Sequence, residues 1–390
     1  MRFITLILRS LLRRRTRTLL TATGLAVAIA AVLDLVGIAW NFENSFLTIF
    51  NSKGIDLVVI RAGVSSQLSS TIDEPLAKKI RQIDGVEDVA LSLMDVVGFD
   101  EANLAGVLID GWESGSMLFQ NQKILEGRTF NADESDVALL GKILAMNLGK
   151  KVGETIQVSG KPFKVIGTFE SDSHFENGAL IVPLKTLQKM MGREGQVTGF
   201  LVRSKKIDPA SIAELGKRIE KALPGTAATS ARDHVQADLQ IRLAKAMAWT
   251  TTADLQIRLA KAMAWTTTAI ALLLGGVGML NTMIMSVFER TREIGILRAL
   301  GWRRRRVLTL ILGEAIGLGL LGTLLGIAFA LLGLRAIVLA PTARGFIDPN
   351  LPLPVMIFGI LLGLALSIVG GLYPALRAAS LDPSEAIRHE

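Results

Sequence analysis

AWTTTAIALLLGGVGMLNTMIMSVFERTREIGILRALGWRRRRV, residues 264–307, decides the fold. The part from 264 to 288 carries no charge and is longer than the ~20 residues that cross a hydrocarbon core. From Glu289 the chain turns charged and basic, and at Val307 a second apolar run begins. Such a stretch leaves a bilayer, makes a short elbow at its surface and re-enters.

Working outward, two more runs of this kind appear. The spans predicted are 18–40, 264–288, 307–334 and 353–373. Composition agrees: half of the 390 residues are hydrophobic, mean hydropathy is +0.44, and a charged fraction of 20% leaves room for a sizeable water-facing part. The net charge of +8 is placed at span ends, in "RSLLRRRTR" (Arg9–Arg17) and "RTREIGILRALGWRRRR" (Arg290–Arg306). Basic runs in these places follow the positive-inside rule better than they suggest nucleic acid, which is not expected as a partner. Both termini are therefore expected in the cytoplasm (1–17 and 374–390), with 41–230 outside and 335–352 as a short outer loop. The basic, apolar N-terminus has the look of a signal peptide. Its run is too long and has no A-x-A pattern, so an uncleaved signal-anchor is expected.

The spans carry glycines four apart, Gly313/Gly317, Gly322/Gly326 and Gly359/Gly363, a spacing that suits close helix packing. Two acids lie in apolar runs. Asp34 is expected near the outer boundary and Glu314 nearer the cytoplasm. Without a matched base in the spans they make a poor proton relay, and interfacial or interhelical hydrogen bonding is the expectation.

Residues 41–230 read as a mixed α/β domain. "IDLVVIRAG" (55–63) is a strand, 74–83 a helix, and "ETIQVSGKPFKVIGTFE" a hairpin turning at Ser159-Gly160. "GALIVPLKTLQKMM" gives a strand and then a helix after Pro183. Nothing in the chain looks catalytic. With no cysteine, disulfides and thiol chemistry are excluded, and His174, His234 and His389 are too scattered for a metal site or a triad. No G-x-x-x-x-G-K-[ST] loop is present, so nucleotide is not held here by that means. Trp112 is a lone candidate for an aromatic contact to cargo, and no binding groove is legible.

In the elbow, Ile294, Leu297 and Leu300 recur every three residues as one apolar stripe, with Glu289, Arg292, Glu293 and Arg298 on other faces. Gly295 and Gly301 are small close-approach or terminating positions. The pattern alone leaves two roles open, lying on lipid or docking into another protein.

"ERTREIGILRALG" resembles the coupling helix of the MacB/FtsX-like permeases, the membrane subunits of certain bacterial ABC transporters. "GLYPALRAASLDPSEAIRHE" is similar to that family's ending, and "ILEGRTFNADESDVALLGKILAMNLG…VGETIQVSGKPFKVIGTFES" to its periplasmic core domain. The resemblance implies a four-helix transmembrane bundle with a large α/β extracytoplasmic domain between the first two spans, in the bacterial inner membrane. It implies as partners an ABC ATPase dimer, a second permease chain (identical or related), membrane lipid and a periplasmic adaptor or carrier protein. The chain itself would carry no cofactor, ATP being bound by the ATPase. On this resemblance Glu289, Arg290, Thr291, Arg292, Glu293, Ile294, Gly295, Leu297, Arg298, Leu300 and Gly301 form the ATPase-coupling segment. The work performed would be export or lipid and lipoprotein extraction. The alternative is an FtsX-type scaffold that activates a cell-wall hydrolase; a third reading is a ligand sensor working without ATP.

One feature has no counterpart in these motifs. ADLQIRLAKAMAWTTT at 237–252 returns unchanged at 253–268. Ser230 to Asp233 fits a capping box, and a stalk helix over 231–263 would carry motion into the second span. A second copy adds about 24 Å of helix and turns what precedes it by roughly 160°. Three readings stay open: a longer stalk, a copy folded aside at Thr250–Thr252, or a slip in the gene or its assembly.

Overall fold

The computed structural model describes residues 15–64, 67–99, 102, 104–235, 252–340, 344 and 347–381. Arg9, Arg13, Arg14, His389, the C-terminal motif from Asp382 and the first repeat copy through Thr251 lie outside the described residues. The chain divides into two compact units, 40–254 with 337–348, and 1–39 with 255–336 and 349–390.

Helix α1, Arg15–Ser52, has 38 residues. It outlasts the apolar run because Phe46, Leu47 and Phe50, beyond the polar break at Asn41–Asn44, join a core of the α/β unit. It ends at Lys53 in a Schellman motif. Gly54 takes the left-handed conformation (φ 63°), and the Ile55 and Gly54 amides donate to the carbonyls of Phe50 (2.9 Å) and Asn51 (3.1 Å).

The α/β unit follows with β1 (Leu57–Arg61), β2 (Ile72–Asp73), α2 (Leu76–Arg81), β3 (Val86–Phe99), β4 (Leu104–Trp112), β5 (Lys123–Gly127), β6 (Val137–Gly141), α3 (Lys142–Leu148), β7 (Thr155–Val158) and β8 (Lys161–Glu170). It continues through α4 (His174–Asn177), β9 (Leu180–Pro183), α5 (Leu184–Met191), β10 (Gln196–Val197), β11 (Gly199–Ser204), α6 (Pro209–Ala222) and β12 (Thr226–Ser230). Helix α2 is shorter than the 74–83 expected, since Pro75 stands at its N-cap and Gln82 already closes it.

A 10-stranded mixed sheet runs β12-β1-β11-β3-β4-β9-β6-β8-β5, with β7 paired to β8. Strand β3 joins its halves: residues up to Ser92 pair β11, and those from Leu93 pair β4. The β7–β8 hairpin pairs Val158 with Lys161, so Ser159 and Gly160 turn the chain at φ 48° and 78°. Two positive φ values are what a type I′ turn requires. Both sheet faces are covered, which is why the strands read as continuous apolar runs. Along β1, Leu57 and Val59 enter one core while Val58 and Ile60 enter the other. Helices α2, α5 and α6 cover the first core through Ile80, Leu187 and Ile219, whereas the end of α1 covers the second through Phe50.

After β12, Ser230 caps a helical segment at 231–235, accepting from the Asp233 amide at 3.1 Å and donating to the Asp233 carboxylate at 2.6 Å. The second repeat copy is helical throughout as the start of α7, Thr252–Phe288. The bundle is completed by α8 (Thr291–Ala299), α9 (Arg304–Ile337) and α10 (Leu353–Ser380). Among the described residues four helices, α1, α7, α9 and α10, are long and apolar enough to cross a membrane.

Small residues bring these helices together. Gly322 and Gly326 of α9 sit against Leu25 and Ile29 of α1, while Gly359 and Gly363 of α10 sit against Leu33 and Ile29. Gly313 and Gly317 are half-buried. Gly319 against Ser367 and Gly371 against Ala315, outside the four-residue spacings read from sequence, make closer α9–α10 approaches. Leu273, Leu274, Leu324, Leu361 and Val369 stay exposed, as side chains facing lipid do.

Candidate coupling site

The elbow is α8 with its flanks. Glu293 in its first turn and Arg298 in its last suit the helix dipole. It stops because Gly301 takes φ 92°, and the Gly301 and Trp302 amides donate to the Arg298 (3.0 Å) and Leu297 (3.1 Å) carbonyls. This is a Schellman stop, and the Leu297 and Trp302 side chains that accompany it line one small cavity with Ile294 and Ile311.

The apolar stripe read from sequence does not face one way. Ile294 and Gly295 are buried, Leu297 is half-buried and Leu300 is 76% exposed. The reason is the 100° advance per residue: three residues fall short of a full turn, so Leu300 drifts off the buried face. The open face of α8 instead holds Arg292, Glu293, Ile296 and Leu300, with Gly301 exposed beyond it and Thr291 half-buried.

The charged residues divide in the same way. Arg290 donates to the Glu314 carboxylate of α9 at 2.6 Å, and Glu314 is buried. This is the interfacial hydrogen bonding expected of Glu314, with no base drawn from the spans themselves. Its base arrives from the elbow, four residues short of α8's buried Ile294. Glu289 pairs with Arg17 of α1 at 3.0 Å. Arg298 donates to the carbonyls of Ala379 (3.1 Å) and Leu381 at the end of α10, satisfying acceptors that a helix C-terminus leaves open. Three side chains thus fasten the elbow to α1, α9 and α10, while Phe288 of α7 runs into it directly and lies under Arg377.

Asp34 differs from what the sequence suggested. Its Oδ1 is buried without a hydrogen-bond partner among the described residues, and Oδ2 lies against Gly333 of α9. Among the described residues no group of three or more histidine and acidic side chains is arranged to hold a metal.

Comparison with known proteins places this arrangement. The MacB-like periplasmic core domain matches residues 18–222, more than half of the chain, and the FtsX-like permease C-terminal domain matches 265–383. The chain belongs to the MacB/FtsX-like ABC transporter permease family. The uncharacterized ABC transporter permease YknZ of Bacillus subtilis is 26% identical, the match covering 99% of this chain and 98% of that one. The uncharacterized ABC transporter permease MJ1507 of Methanocaldococcus jannaschii is also 26% identical, over 99% and 98%. The macrolide export ATP-binding/permease protein MacB of Brucella abortus is 26% identical over 96% of this chain, which spans only 58% of that longer protein. The permease is thus a multi-pass membrane protein with its α/β domain inserted between the first and second spanning helices.

The residues that sequence reasoning missed are Arg17 and Glu314 as partners of the elbow. A sequence signal existed for Glu314: an acid two turns into an apolar helix needs a cation within reach.

Proposed function

We propose that this chain is the permease subunit of a MacB-like ABC transporter, receiving the stroke of a separate ATPase dimer at α8. The spanning helices would pass the movement to the inserted domain for export or for lipid and lipoprotein extraction. In this reading both termini are cytoplasmic, the chain holds no cofactor of its own, and a second permease chain and an extracytoplasmic adaptor complete the assembly. What supports it is the two-sidedness of α8. One side is tied by Arg290, Arg298 and Ile294 to the bundle, and the other leaves Arg292, Glu293, Ile296 and Leu300 open. A helix anchored this way cannot yield locally to a push and must hand it to the spans.

The chain has no cysteine, so a single Leu300→Cys variant carries a crosslinker to one place. In membranes from the native host it is expected to capture a nucleotide-hydrolysing chain, whereas Thr309→Cys, exposed on α9, captures none. Leu300→Asp is expected to abolish co-purification of ATPase activity without changing the unfolding free energy by more than about 0.5 kcal/mol. Recovery of the intact permease with no ATPase at any position on α8 would overturn the reading.

A further inference from the structure

The α/β unit encloses a cavity of about 320 Å³ on the face of the sheet covered by the end of α1. Period-two alternation along β4 puts Gly106, Leu108, Asp110 and Trp112 into its wall. Neighbouring β3 contributes Met94 opposite Asp110 and Val96 opposite Leu108. Phe50, Phe175 and Leu201 supply apolar wall, and the cavity is dominantly apolar with one polar end.

That polar end is unevenly matched. Lys53, held at the end of α1 by the Gly54 stop, enters the cavity wall with its ammonium 4.6 Å from the Trp112 ring centroid. All three of its protons have acceptors: Glu176 Oε1 at 2.9 Å, Gln122 Oε1 at 2.8 Å and the Leu118 carbonyl at 3.3 Å. Glu176, on α4, is satisfied in turn by Lys53 and by the Ser171 hydroxyl at 2.5 Å. Asp110 accepts from the Ser92 hydroxyl at 2.9 Å, is faced by the Trp112 indole N–H, and makes no ion pair among the described residues. Its remaining surface opens on the cavity. The Trp112 indole N–H, on a nearly fully buried side chain, faces Asp110 without reaching full hydrogen-bond geometry. A part-buried acid without an ion pair, at the end of an apolar chamber, is costly unless something fills the chamber.

We propose that this cavity binds a small amphiphilic amine, its ammonium on Asp110 and its apolar body among the phenylalanine and leucine walls. The sign follows from the count of charges: Lys53 and Glu176 neutralise each other, so Asp110 is the unmatched charge and an ammonium is its complement. The size follows from the volume. A cavity of ~150 Å³ holds one benzene, so this one holds about a dozen heavy atoms and excludes a large macrocycle. The site stands apart from ATPase coupling and holds or fails whatever drives the bundle.

Uptake should follow the ionisation of Asp110. Burial raises its carboxyl to about 7 from 3.8, with the Trp112 and Ser92 donors opposing the rise, Glu176 adding to it and Lys53 offsetting it. The other titratable groups on the wall are Lys53 from α1, Glu176 from α4 and His234 from the 231–235 segment.

The test uses decylamine, decanol and decanoate, radiolabelled, on the full chain in phosphatidylcholine nanodiscs, with empty discs subtracting lipid partition. Decylamine is expected to bind one saturable site at pH 8.5 and at least tenfold more weakly at pH 5.5, while decanol is insensitive to pH. Asp110→Asn should remove the advantage of the amine and leave decanol binding in place. His234→Gln should leave the pH dependence unchanged. Ala179→Leu, which narrows the wall, should weaken amine and alcohol together. Equal binding of amine and alcohol to the native chain at pH 8.5, preference for decanoate, or an amine advantage that survives Asp110→Asn would overturn the proposal. The native-chain comparison decides it even if a variant does not fold.

Discussion

The elbow and the sheet cavity both place charge among apolar side chains, and they resolve it differently. At the elbow the buried Glu314 meets Arg290 at 2.6 Å, and Arg298 meets carbonyls at the end of α10. In the cavity Lys53 and Glu176 close on each other while Asp110 is left without an ion pair. A closed set of charges fixes geometry, since any movement separates the pair in a low-dielectric setting where separation is costly. An open one stores a demand for a partner. The difference teaches that charge at the elbow is spent on holding α8 to the bundle helices, whereas in the sheet domain one acid is kept for the ligand proposed above.

The sharpest way to break this comparison is to open the closed set. Glu314→Gln removes the buried counter-charge of the half-buried Arg290 guanidinium and leaves it only the exposed Glu293 at 3.6 Å, and a loss of about 2 kcal/mol in stability is expected. Unfolding of the purified chain in mixed detergent and SDS micelles measures it. The double variant Arg290→Met with Glu314→Leu should recover most of the loss, because no stranded charge remains. If the single variant unfolds like the native chain, the elbow is not anchored through this pair.

The second prediction addresses the open set. Folded Asp110 keeps its proton to about pH 7, whereas an unfolded aspartate loses it near 3.8. Between those values the folded state binds more protons, so stability falls as pH rises, by up to about 1.4 kcal/mol per pH unit from this group alone. Asp110→Asn should flatten that slope between pH 4 and 7 and stabilise the α/β unit above it. Urea midpoints followed by tryptophan fluorescence, taken from pH 4.5 to 8, read both effects. A native slope retained in the variant would mean that Asp110 is already matched in the folded chain.

How much of this was legible in sequence divides along the same line. The spans were legible because a bilayer imposes a length, and the β7–β8 hairpin because Ser159-Gly160 sits between alternating runs. The end of α8 was legible because Gly301 stands where a helix stop is needed. What escaped were contacts between distant positions. Arg290 and Glu314 lie 24 residues apart on two helices, and Arg298 reaches a carbonyl 81 residues away. Helical periodicity placed Ile294 and Leu300 on one stripe, yet only tertiary packing decides which of them is covered. The apolar run places the end of the first span near Trp40 and says nothing of the helix beyond it; the last turns of α1 are held by packing on the sheet, which a local window does not see. The cavity escaped for a related reason. Asp110 looks like an ordinary polar position until β3, α1 and α4 close around it, although an aspartate inside the run "GVLIDGW" is itself unusual in a strand.

The smallest effect expected calibrates the other two. Ser159 holds φ 48° in the β7–β8 turn, away from every residue that lines the cavity or anchors the elbow. Serine tolerates that region less well than asparagine, and Asn-Gly is the preferred pair for a turn with two positive φ values. Ser159→Asn should therefore raise the unfolding free energy of the α/β unit, measured in urea, by about 0.5 kcal/mol, and Ser159→Val should lower it by about 1 kcal/mol, as a β-branched residue is poorly suited to φ above zero. Neither change should alter the pH slope assigned to Asp110, because the turn carries no part of the charge imbalance. If Ser159→Asn shifted that slope, the pH dependence would belong to the sheet as a whole and the contrast between closed and open charge would lose its meaning.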